Sequence, residues 1–338
     1  MRKINGVPFT AHIDLSSLTG GEVLKWDSTN TLMAWEDQDS TGFVPYSFGG
    51  STSGYNTGGF TNGTGPINVI NKFSLVSSGN AVDWGDLDAV RSYSAGFSST
   101  TDGFMGPGEV TSSRTSSDRI DKYSFTSSAG STDWANASIA GSKGTGHNNA
   151  THGYASGGTT GSRSNVIDKI SFASGGTAAD HGDLTVARQY PAGHSSTDYG
   201  FSSAGNSASS SADDTIDKFA FASNTTATDH GNLYSGRSEI AAGCSSSTQG
   251  FTCGGYNAGH HNTIQKFDFS SNTTASDHGD LTTAKSEMAG SSSTTSGFTM
   301  GANGNSNMIE QFSFSSNTTA TDYGDLTVSM FTSTGQQY

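Results

Sequence analysis

A strand-like segment, written "IDKFAF" or "IEQFSF", recurs six times at spacings of 45 to 50 residues. Its first residue stands at Ile70, Ile120, Ile167, Ile216, Ile264 and Ile309. An aspartate follows 13 residues after each isoleucine, at Asp83, Asp133, Asp180, Asp229, Asp277 and Asp322. This part of the unit therefore has no insertions. Six copies at one period predict a repeat architecture, and known propeller blades have periods of about 40 to 50 residues.

Each unit consists of short extended segments separated by Gly, Asn, Asp and Ser, without the 3.6-residue period of a helix. In "IDKFAF", Phe219 and Phe221 point to one face of a strand and Ile216 to the other. Because such a strand is apolar on both faces, other sheets must cover both of them. A unit of about 48 residues holds the four strands of one blade. We therefore predict an all-β chain with a six-bladed β-propeller over residues 46–338.

The two ends of the repeat region complement each other. The first copy begins at Gly54 and Tyr55 without a preceding "DLTxAR" strand, and the last copy ends with "DLTVSMFTSTGQQY". We expect residues 328–335 to complete the sheet that contains Tyr55, because a closed ring leaves no open sheet edge.

The segment "GYASGGTTGSRSNVIDKISFASGGTAADHGDLTVAR", residues 153–188, resembles a kelch repeat. It has a strand ending in Gly157 and Gly158, a variable loop, another strand, and an aromatic position before Leu and Arg. The kelch tryptophan is present in two copies, at Trp84 and Trp134. The form rich in Ser, Thr, Asn and Gly is also similar to repeats of bacteriophage tail-fibre and other appendage proteins. The resemblance implies kelch-like, four-stranded blades in a virion protein.

The amino-terminal residues 1–45 have no copy of the repeat. Their segment "GGEVLKWDSTNTLMAWED" resembles a short β-hairpin module that is common in phage tail fibres. Trp26 and Trp35 are two of the four tryptophans of the chain, and so small a segment cannot bury them alone. We expect residues 1–45 to attach the protein to the virion or to sister subunits of a homo-oligomer. The alternative is an extra strand packed on the propeller.

The charge of the chain bears on its partners. The net charge is -14, whereas phosphate backbones are bound by clustered Lys and Arg, so nucleic acid is not expected as a partner. The amino terminus has no apolar run of a secretion signal, and no segment approaches the length of a membrane span. We expect no signal peptide and no membrane insertion, with assembly into virions in the host cytoplasm.

Two sets of residues could form metal or redox sites, and a structural role is favoured for both. Asp83 and Asp86 have equivalents in three other copies, but a calcium cage needs three or more oxygen ligands in one loop. We expect the first aspartate to cap a turn by accepting a backbone N–H two residues on. Cys244 and Cys253 lie nine residues apart on neighbouring strands. Packed thiols are expected, with a cross-strand disulfide as the alternative.

In three copies a histidine directly follows the aspartate that stands 13 residues after the repeat isoleucine. These are His181, His230 and His278, and the other copies have Trp or Tyr there. Equivalent positions in a ring are far apart, which favours aromatic stacking over a zinc site. The sequence has no Gly-x-Ser-x-Gly elbow with an evident His and acid, and no phosphate-binding glycine loop. We therefore expect no catalysis, no cofactor and no metal.

The loop between the second and third strands differs in length, charge and aromatic content among the copies. A requirement of the fold would repeat, so this variation points to recognition, which usually lies in loops on a rigid scaffold. We expect these loops to share one face of the ring with Arg91, Arg188, Arg237 and Lys285. The alternative is that these are solvated, unconstrained loops. The exposed residues predicted to contact a ligand are Arg114, Arg119, Arg163, Asp213, Asp214, Tyr256, His260 and His261.

The resemblance and the variable loops together predict a phage tail- or head-fibre adhesin. Its propeller loops would bind a host surface glycan or protein, and its other partners would be phage structural proteins. The alternative is a decoration or connector subunit of the virion that contacts only other phage proteins. A cellular kelch-like interaction module or enzyme is the third possibility.

Overall fold

The computed structural model describes residues 52–337 except 112, 209–211 and 240, together with the backbone of four short strands before them. The chain divides into two compact units, Met1–Pro45 and Tyr46–Tyr338. The regular secondary structure of the described residues consists of β-strands, without a helix. No helix in this part of the chain is long and apolar enough to cross a membrane.

The first unit contains two antiparallel strand pairs. Lys3–Ile4 pairs with Val7–Pro8, and Glu22–Asp27 pairs with Leu32–Asp37. The second pair is the β-hairpin that the sequence predicted. Trp26 and Trp35 lie in its strands, but their predicted role in attachment concerns side chains that lie outside the described residues.

The second unit is a six-bladed β-propeller, as the repeat predicted. Each blade is an antiparallel sheet of four strands, which we call inner, second, third and outer in their order from the ring axis. The inner strands are Thr334–Gln337, Gly96–Ser98, Thr145–Asn148, Ala192–Ser195, Ala242–Ser245 and Ala289–Ser292. The second strands are Ser53–Thr57, Asp102–Met105, His152–Ser156, Tyr199–Ser203, Gln249–Cys253 and Ser296–Ala302.

The third strands carry the isoleucine of the repeat: Gly65–Ser74, Ser116–Ser124, Val166–Ser171, Asp213–Ala220, His261–Asp268 and Ser306–Ser313. The outer strands are Val82–Arg91, Ser131–Gly141, Ala179–Asp183, Thr228–Arg237, Ser276–Lys285 and Thr321–Met330. Short accessory strands lie at Phe60–Thr61, Gly108–Glu109, Gly176–Thr177, Arg188–Gln189 and Asn206–Ser207.

Both ends of the propeller contribute to the first blade. Thr334–Gln337 pairs antiparallel with Ser53–Thr57, with Gln336 opposite Tyr55. The predicted closure is confirmed, but its location was partly wrong. Residues 328–330 belong to the outer strand of the sixth blade, so the closing strand begins at Thr334.

Aromatic rings of neighbouring blades stack on each other and form the core. The ring of Phe201 in the fourth blade lies 4.5 Å from that of Phe269 in the fifth, and Tyr154 lies 4.6 Å from Phe221. A side chain on Gly200 would collide with the ring of Phe219. The repeated Gly-aromatic pair therefore has two roles, because its glycine admits a ring of the third strand and its aromatic residue packs against the next blade.

The corner between the third and outer strands repeats because it is held by local hydrogen bonds. In five copies the aspartate accepts the N–H of the glycine two residues on, as Asp83 does from Gly85 at 2.9 Å. The predicted turn cap is confirmed in these copies. The next residue also stacks as predicted, with His230 5.0 Å from the ring of Phe201.

A second contact explains why His and Trp exchange at this position. The Nε2 of His230 lies 2.9 Å from the carbonyl oxygen of Asp268 in the next blade, and Trp84 Nε1 donates to Ser124 O at 2.9 Å. Both residue types thus supply a ring N–H that reaches the neighbouring blade.

A ring of six glycines surrounds the axis, one from each inner strand: Gly96, Gly146, Gly193, Gly243, Gly290 and Gly335. A Cβ on Gly243 would come closer than 3.0 Å to the carbonyl oxygen of Gly193, and four other members meet the preceding member in the same way. Two residues further along, Ser195 N donates to Ser245 Oγ at 3.1 Å and Ser245 N donates to Ser292 Oγ at 2.9 Å. The inner strands are therefore packed backbone to backbone.

Two buried histidines lie between inner strands. His147 Nδ1 is 3.0 Å from the carbonyl oxygen of His194, and His194 Nδ1 is 3.1 Å from that of Cys244. Because a carbonyl only accepts, each Nδ1 carries the proton and each Nε2 accepts from a hydroxyl. Burial lowers the pKa of His147 to about 4 and that of His194 to about 3. Cys244 and Cys253 are both free, buried thiols, as predicted.

Because of these two histidines, we expect the protein to lose stability in mild acid. Their folded pKa values lie below the unfolded value of about 6.5, so the unfolded chain binds protons first as the pH falls. Their contribution is constant above pH 6.5 and becomes destabilising as the pH falls toward 4 and 3, by about 3 kcal/mol or more for each. The first blade has Gln336 at the position equivalent to these histidines. The variants H147Q and H194Q should therefore lose less stability than the wild type as the pH falls.

Melting temperatures measured from pH 7 to pH 4 test this expectation. Buried carboxylates with raised pKa values act in the opposite direction, so the difference between wild type and each variant is the informative quantity. H260Q, at an exposed histidine, is the control. Equal slopes for the wild type and both buried-histidine variants would show that these rings do not resist protonation.

Candidate functional site

One face of the ring carries both the variable loops and the corners that lead from each outer strand to the next blade. The two kinds of segment pair with each other, as Ser92 does with Glu109 and Ser142 with Thr159. Phe60 and Phe331 pair in the same way where the ring closes. The predicted sorting of loops is therefore what the structure has, and we call this side the variable face.

Five corners place a residue with left-handed backbone beside the axis: Tyr93, Lys143, Tyr190, Glu287 and Thr332, with φ from 53° to 63°. Hydrogen bonds join them, since Lys143 N donates to Tyr93 O at 2.7 Å and Tyr190 N donates to Lys143 O at 2.7 Å. Thr332 N donates to Glu287 O at 2.9 Å. These corners therefore lie together around the ring axis on the variable face, at a place that we call the axial mouth.

Two tyrosines and two cations occupy one side of the axial mouth. The rings of Tyr93 and Tyr190 have centroids 6.0 Å apart. The Nζ of Lys143 lies 5.7 Å from one centroid and 5.6 Å from the other, and Arg114 Cζ lies 5.4 Å from that of Tyr93. These are cation–π distances. Burial raises the pKa of Tyr190 to about 12, so its hydroxyl stays protonated near neutral pH.

Three glutamates complete the axial mouth. Tyr93 Oη donates to Glu287 Oε1 at 3.3 Å, and Ser286 Oγ donates to Glu239 Oε2 at 3.1 Å. Glu109 lies 3.6 Å from Lys143 Nζ. Burial, with the nearby Glu239, raises the pKa of Glu287 to about 7, so this carboxyl is partly protonated near neutral pH.

Below the axial mouth lies a cavity of about 110 Å³ along the axis. Tyr93, Pro191 and Met288 line it near the variable face, and Ser195 and Ser245 line it at the other end. A water needs roughly 10–15 Å³ of such space, so the channel has room for several waters or part of a small polar ligand. The cavity thus adjoins the axial mouth through Tyr93 and Thr332, beside which the acidic and basic groups lie.

The structure brings two of the predicted ligand contacts toward the axial mouth. Arg114 faces Tyr93 and lies 4.0 Å from Glu109. His260 is exposed, and its Nδ1 is 3.2 Å from Ser286 Oγ, the hydroxyl that donates to Glu239. The ring of Tyr256 packs against His260 at 5.3 Å. His261 bonds Asn257 O, and Asp214 is exposed in the fourth blade.

Other predicted contacts have structural partners instead. The expectation that Asp213 is exposed is wrong: it is 5% exposed and lies 3.6 Å from Arg188 Nη1. Arg119 forms ion pairs with Asp88 of the first blade and with Asp121. Arg163 Nε donates to Asn206 Oδ1 at 2.9 Å and joins the third and fourth blades. The cations at the ends of the outer strands, Arg91, Arg188, Arg237 and Lys285, are buried.

Sequence reasoning missed most of the axial mouth because it considered only the loops between second and third strands, and within those loops it did not select Glu109. The missed residues are Tyr93, Glu109, Lys143, Tyr190, Glu239 and Glu287. All except Glu109 and Glu239 stand three residues before the axial glycine of their copy. Aligned on that glycine, the copies differ at this position as strongly as the loops do, so the same argument from variation would have identified it.

Among the described residues, no three His, Cys, Asp or Glu side chains are close enough together to hold a metal ion. No protein-family model matches the sequence, and no curated protein matches it. The six-bladed β-propeller and the geometry of its variable face are therefore the basis for considering function.

Proposed function

We propose that this protein is a non-enzymatic adhesin of a phage tail or head fibre, with kelch-like blades, and that its axial mouth binds a host surface glycan. The observation that carries the proposal is the half-buried ring of Tyr190, packed against the buried Tyr93, beside the carboxyl groups of Glu239 and Glu287 on the variable face.

The chemistry of the axial mouth suits a sugar. The apolar face of a pyranose ring stacks on tyrosine, and its hydroxyls bond to carboxylates and ammonium groups. Tyr190 is half-buried, so part of its ring is held by Lys143 and Tyr93 while part remains accessible. Left-handed backbone at non-glycine residues costs about 1–3 kcal/mol each and clusters at functional sites. The strained corners thus support a preorganised binding site.

The assignment to a virion rests on the resemblance of the repeats and of the amino-terminal hairpin to phage appendage proteins. In this proposal residues 1–45, with Trp26 and Trp35, bind other phage structural proteins or sister subunits, and the protein resides in the virion. The propeller then presents its variable face to the host.

Glycan binding can be tested with the full chain on arrays of bacterial surface polysaccharides, followed by titration of the best ligand. Y190A should weaken binding about tenfold, since losing a stacked aromatic contact costs about 0.5–1.5 kcal/mol beyond its area. Y234A is the matched control, because Tyr234 is 44% exposed on an outer strand away from the axis. The triple variant Y256A/H260A/H261A measures the contribution of the fifth blade's loop.

Two outcomes would contradict the proposal. Equal losses in Y190A and Y234A would remove the axial mouth as the site. A chain that binds no glycan and no host cells, yet binds phage particles lacking it, would establish the connector role instead.

A further inference from the structure

In five of the six blades, a long side chain at or just after the end of the outer strand is buried against the next blade: Arg91, Arg188, Arg237, Lys285 and Met330. The last residue of the outer strand pairs with an equivalent residue of the third strand in four blades. The pairs are Arg91 with Ile67, Gly141 with Ser117, Arg237 with Asp213, and Lys285 with His261. In each pairing the partner stands three residues before the repeat isoleucine. Gly141 is therefore the second blade's equivalent of the buried cations.

Arg188, at the corresponding place in the third blade, shows what the pocket binds. It is 0% exposed, and its Nη2 donates to Asp217 Oδ2 of the fourth blade at 2.7 Å. Its Nη1 donates to the carbonyl oxygens of Ala204 at 3.2 Å and Thr215 at 3.1 Å. One carboxylate and two carbonyl oxygens thus hold one guanidinium group.

At most interfaces the charge of this buried side chain is matched on the next blade: a cation meets an acid, and an uncharged residue meets an uncharged one. Arg91 lies 3.0 Å from Asp121 Oδ2, and Lys285 forms an ion pair with Glu310. Met330, which is uncharged, faces a blade with Asn71 at this position. Two interfaces differ. Arg237 faces a blade with the neutral Gln265 at this position and donates to Thr263 Oγ1 at 2.7 Å, whereas the interface between the second and third blades keeps the acid, Asp168, but has no cation at Gly141.

Asp168 is consequently a buried carboxylate without a counter-charge among the described residues. It is 6% exposed; its Oδ2 accepts the N–H of Ser138 at 2.9 Å, and its Oδ1 accepts no hydrogen bond from any described residue. Burial raises the pKa of Asp168, and no cation lowers it. Leaving a buried acceptor unpaired is costly, which makes this position a strong acceptor for an added cation.

A cavity of about 40 Å³ occupies the space that an arginine side chain fills elsewhere. Its lining includes Gly141, Asp168, Gly157 and Val166. Gly157 and Val166 are the repeat equivalents of Ala204 and Thr215, so their carbonyl groups correspond to those that bind Arg188. The lining also includes Ile139, which is 54% exposed, so the cavity reaches the protein surface.

We propose that the cavity between the second and third blades is a binding site for a guanidinium group, held by Asp168 and the carbonyl groups of Gly157 and Val166. The ligand is a small guanidinium compound or an arginine side chain of a peptide that enters beside Ile139. The site is independent of the axial mouth and of the proposed adhesin function.

The full chain can be titrated with ethylguanidinium chloride up to 20 mM, with sodium chloride at equal ionic strength as reference. Saturation-transfer NMR should detect binding, and the melting temperature should rise by about 2 °C. Acetyl-Gly-Arg-Gly-amide is the second probe. Binding of the peptide would support an arginine side chain of a partner, and binding of ethylguanidinium alone would support a small ligand.

Two variants separate the site from general salt effects. D168N replaces the carboxylate with a neutral group of the same shape, and it should fold and lose both the NMR signal and the thermal shift. G141R supplies the missing arginine from within the chain, so it should raise the melting temperature and abolish binding of either probe. An equal thermal shift in wild type and D168N, or no signal with either probe at 20 mM, would overturn the proposal.

Discussion

A chain that ends at Thr332 should lose most of its folding stability, because it lacks the strand that closes the ring. Thr334–Gln337 is the inner strand of the first blade, and without it Ser53–Thr57 becomes an open edge beside the axis. Gln336 is almost fully buried and bonds three partners: its Nε2 donates to Phe104 O, and its Oε1 accepts from Tyr123 and Thr57. The truncation would leave these groups unpaired.

The size of the effect follows from the number of groups left buried without partners. Each costs about 1–3 kcal/mol, and the lost ladder adds about 1 kcal/mol per hydrogen bond. With three such groups and a ladder of four paired residues, the sum is roughly 7–13 kcal/mol, which is comparable with the whole stability of an ordinary domain. We therefore expect the truncated chain to melt at least 10 °C lower, or not to fold, in thermal and urea unfolding.

A peptide with the sequence "FTSTGQQY" added in trans provides the control. It should restore the melting temperature in a concentration-dependent manner if closure is the cause. Unfolding of the truncated chain at the wild-type temperature would show that the other five blades hold the ring without the closing strand.

The sequence predicted the blades well because their features are local and repeated. Asp229 caps a turn through Gly231, two residues away, and alternation of Phe219 and Phe221 marks a strand covered by neighbours. Such features depend on residues close in the chain, so each copy records them. Because six copies repeat these features, the sequence predicts both the period and the fold.

The inner strands and the axial mouth depend instead on contacts between copies, so features local to one copy did not reveal them. "AGCSS" and "AGSSS" are short, polar segments that resemble turns, and their glycines are required by contacts between blades about 50 residues apart. The axial mouth is assembled from corners of several copies, each contributing one side chain such as Tyr93 or Glu287. The predicted exposure of Asp213 was wrong for the same reason, since its partner Arg188 belongs to the preceding blade.

Substitution of one axial glycine should therefore be far more damaging than its small size suggests. In G243A the new Cβ would overlap the carbonyl oxygen of Gly193, which is backbone and cannot rotate away. Gly243 is itself followed in the ring by Gly290, whose Cα faces the carbonyl oxygen of Gly243. Relief would require two inner strands to separate, and because the ring is closed the displacement passes to every blade.

We expect G243A to lose about 3 kcal/mol or more, the upper end of the range for overpacked cores, and to melt several degrees lower. G259A is the matched control: nothing lies within 4 Å of a Cβ at Gly259, so its stability should stay within about 0.5 kcal/mol of wild type. The double variant G193A/G243A should lose less than the sum of the single losses, because the first alanine already separates the shared strands. Equal stability of G243A and G259A in urea unfolding would mean that the inner strands are looser than a closed ring of glycines requires.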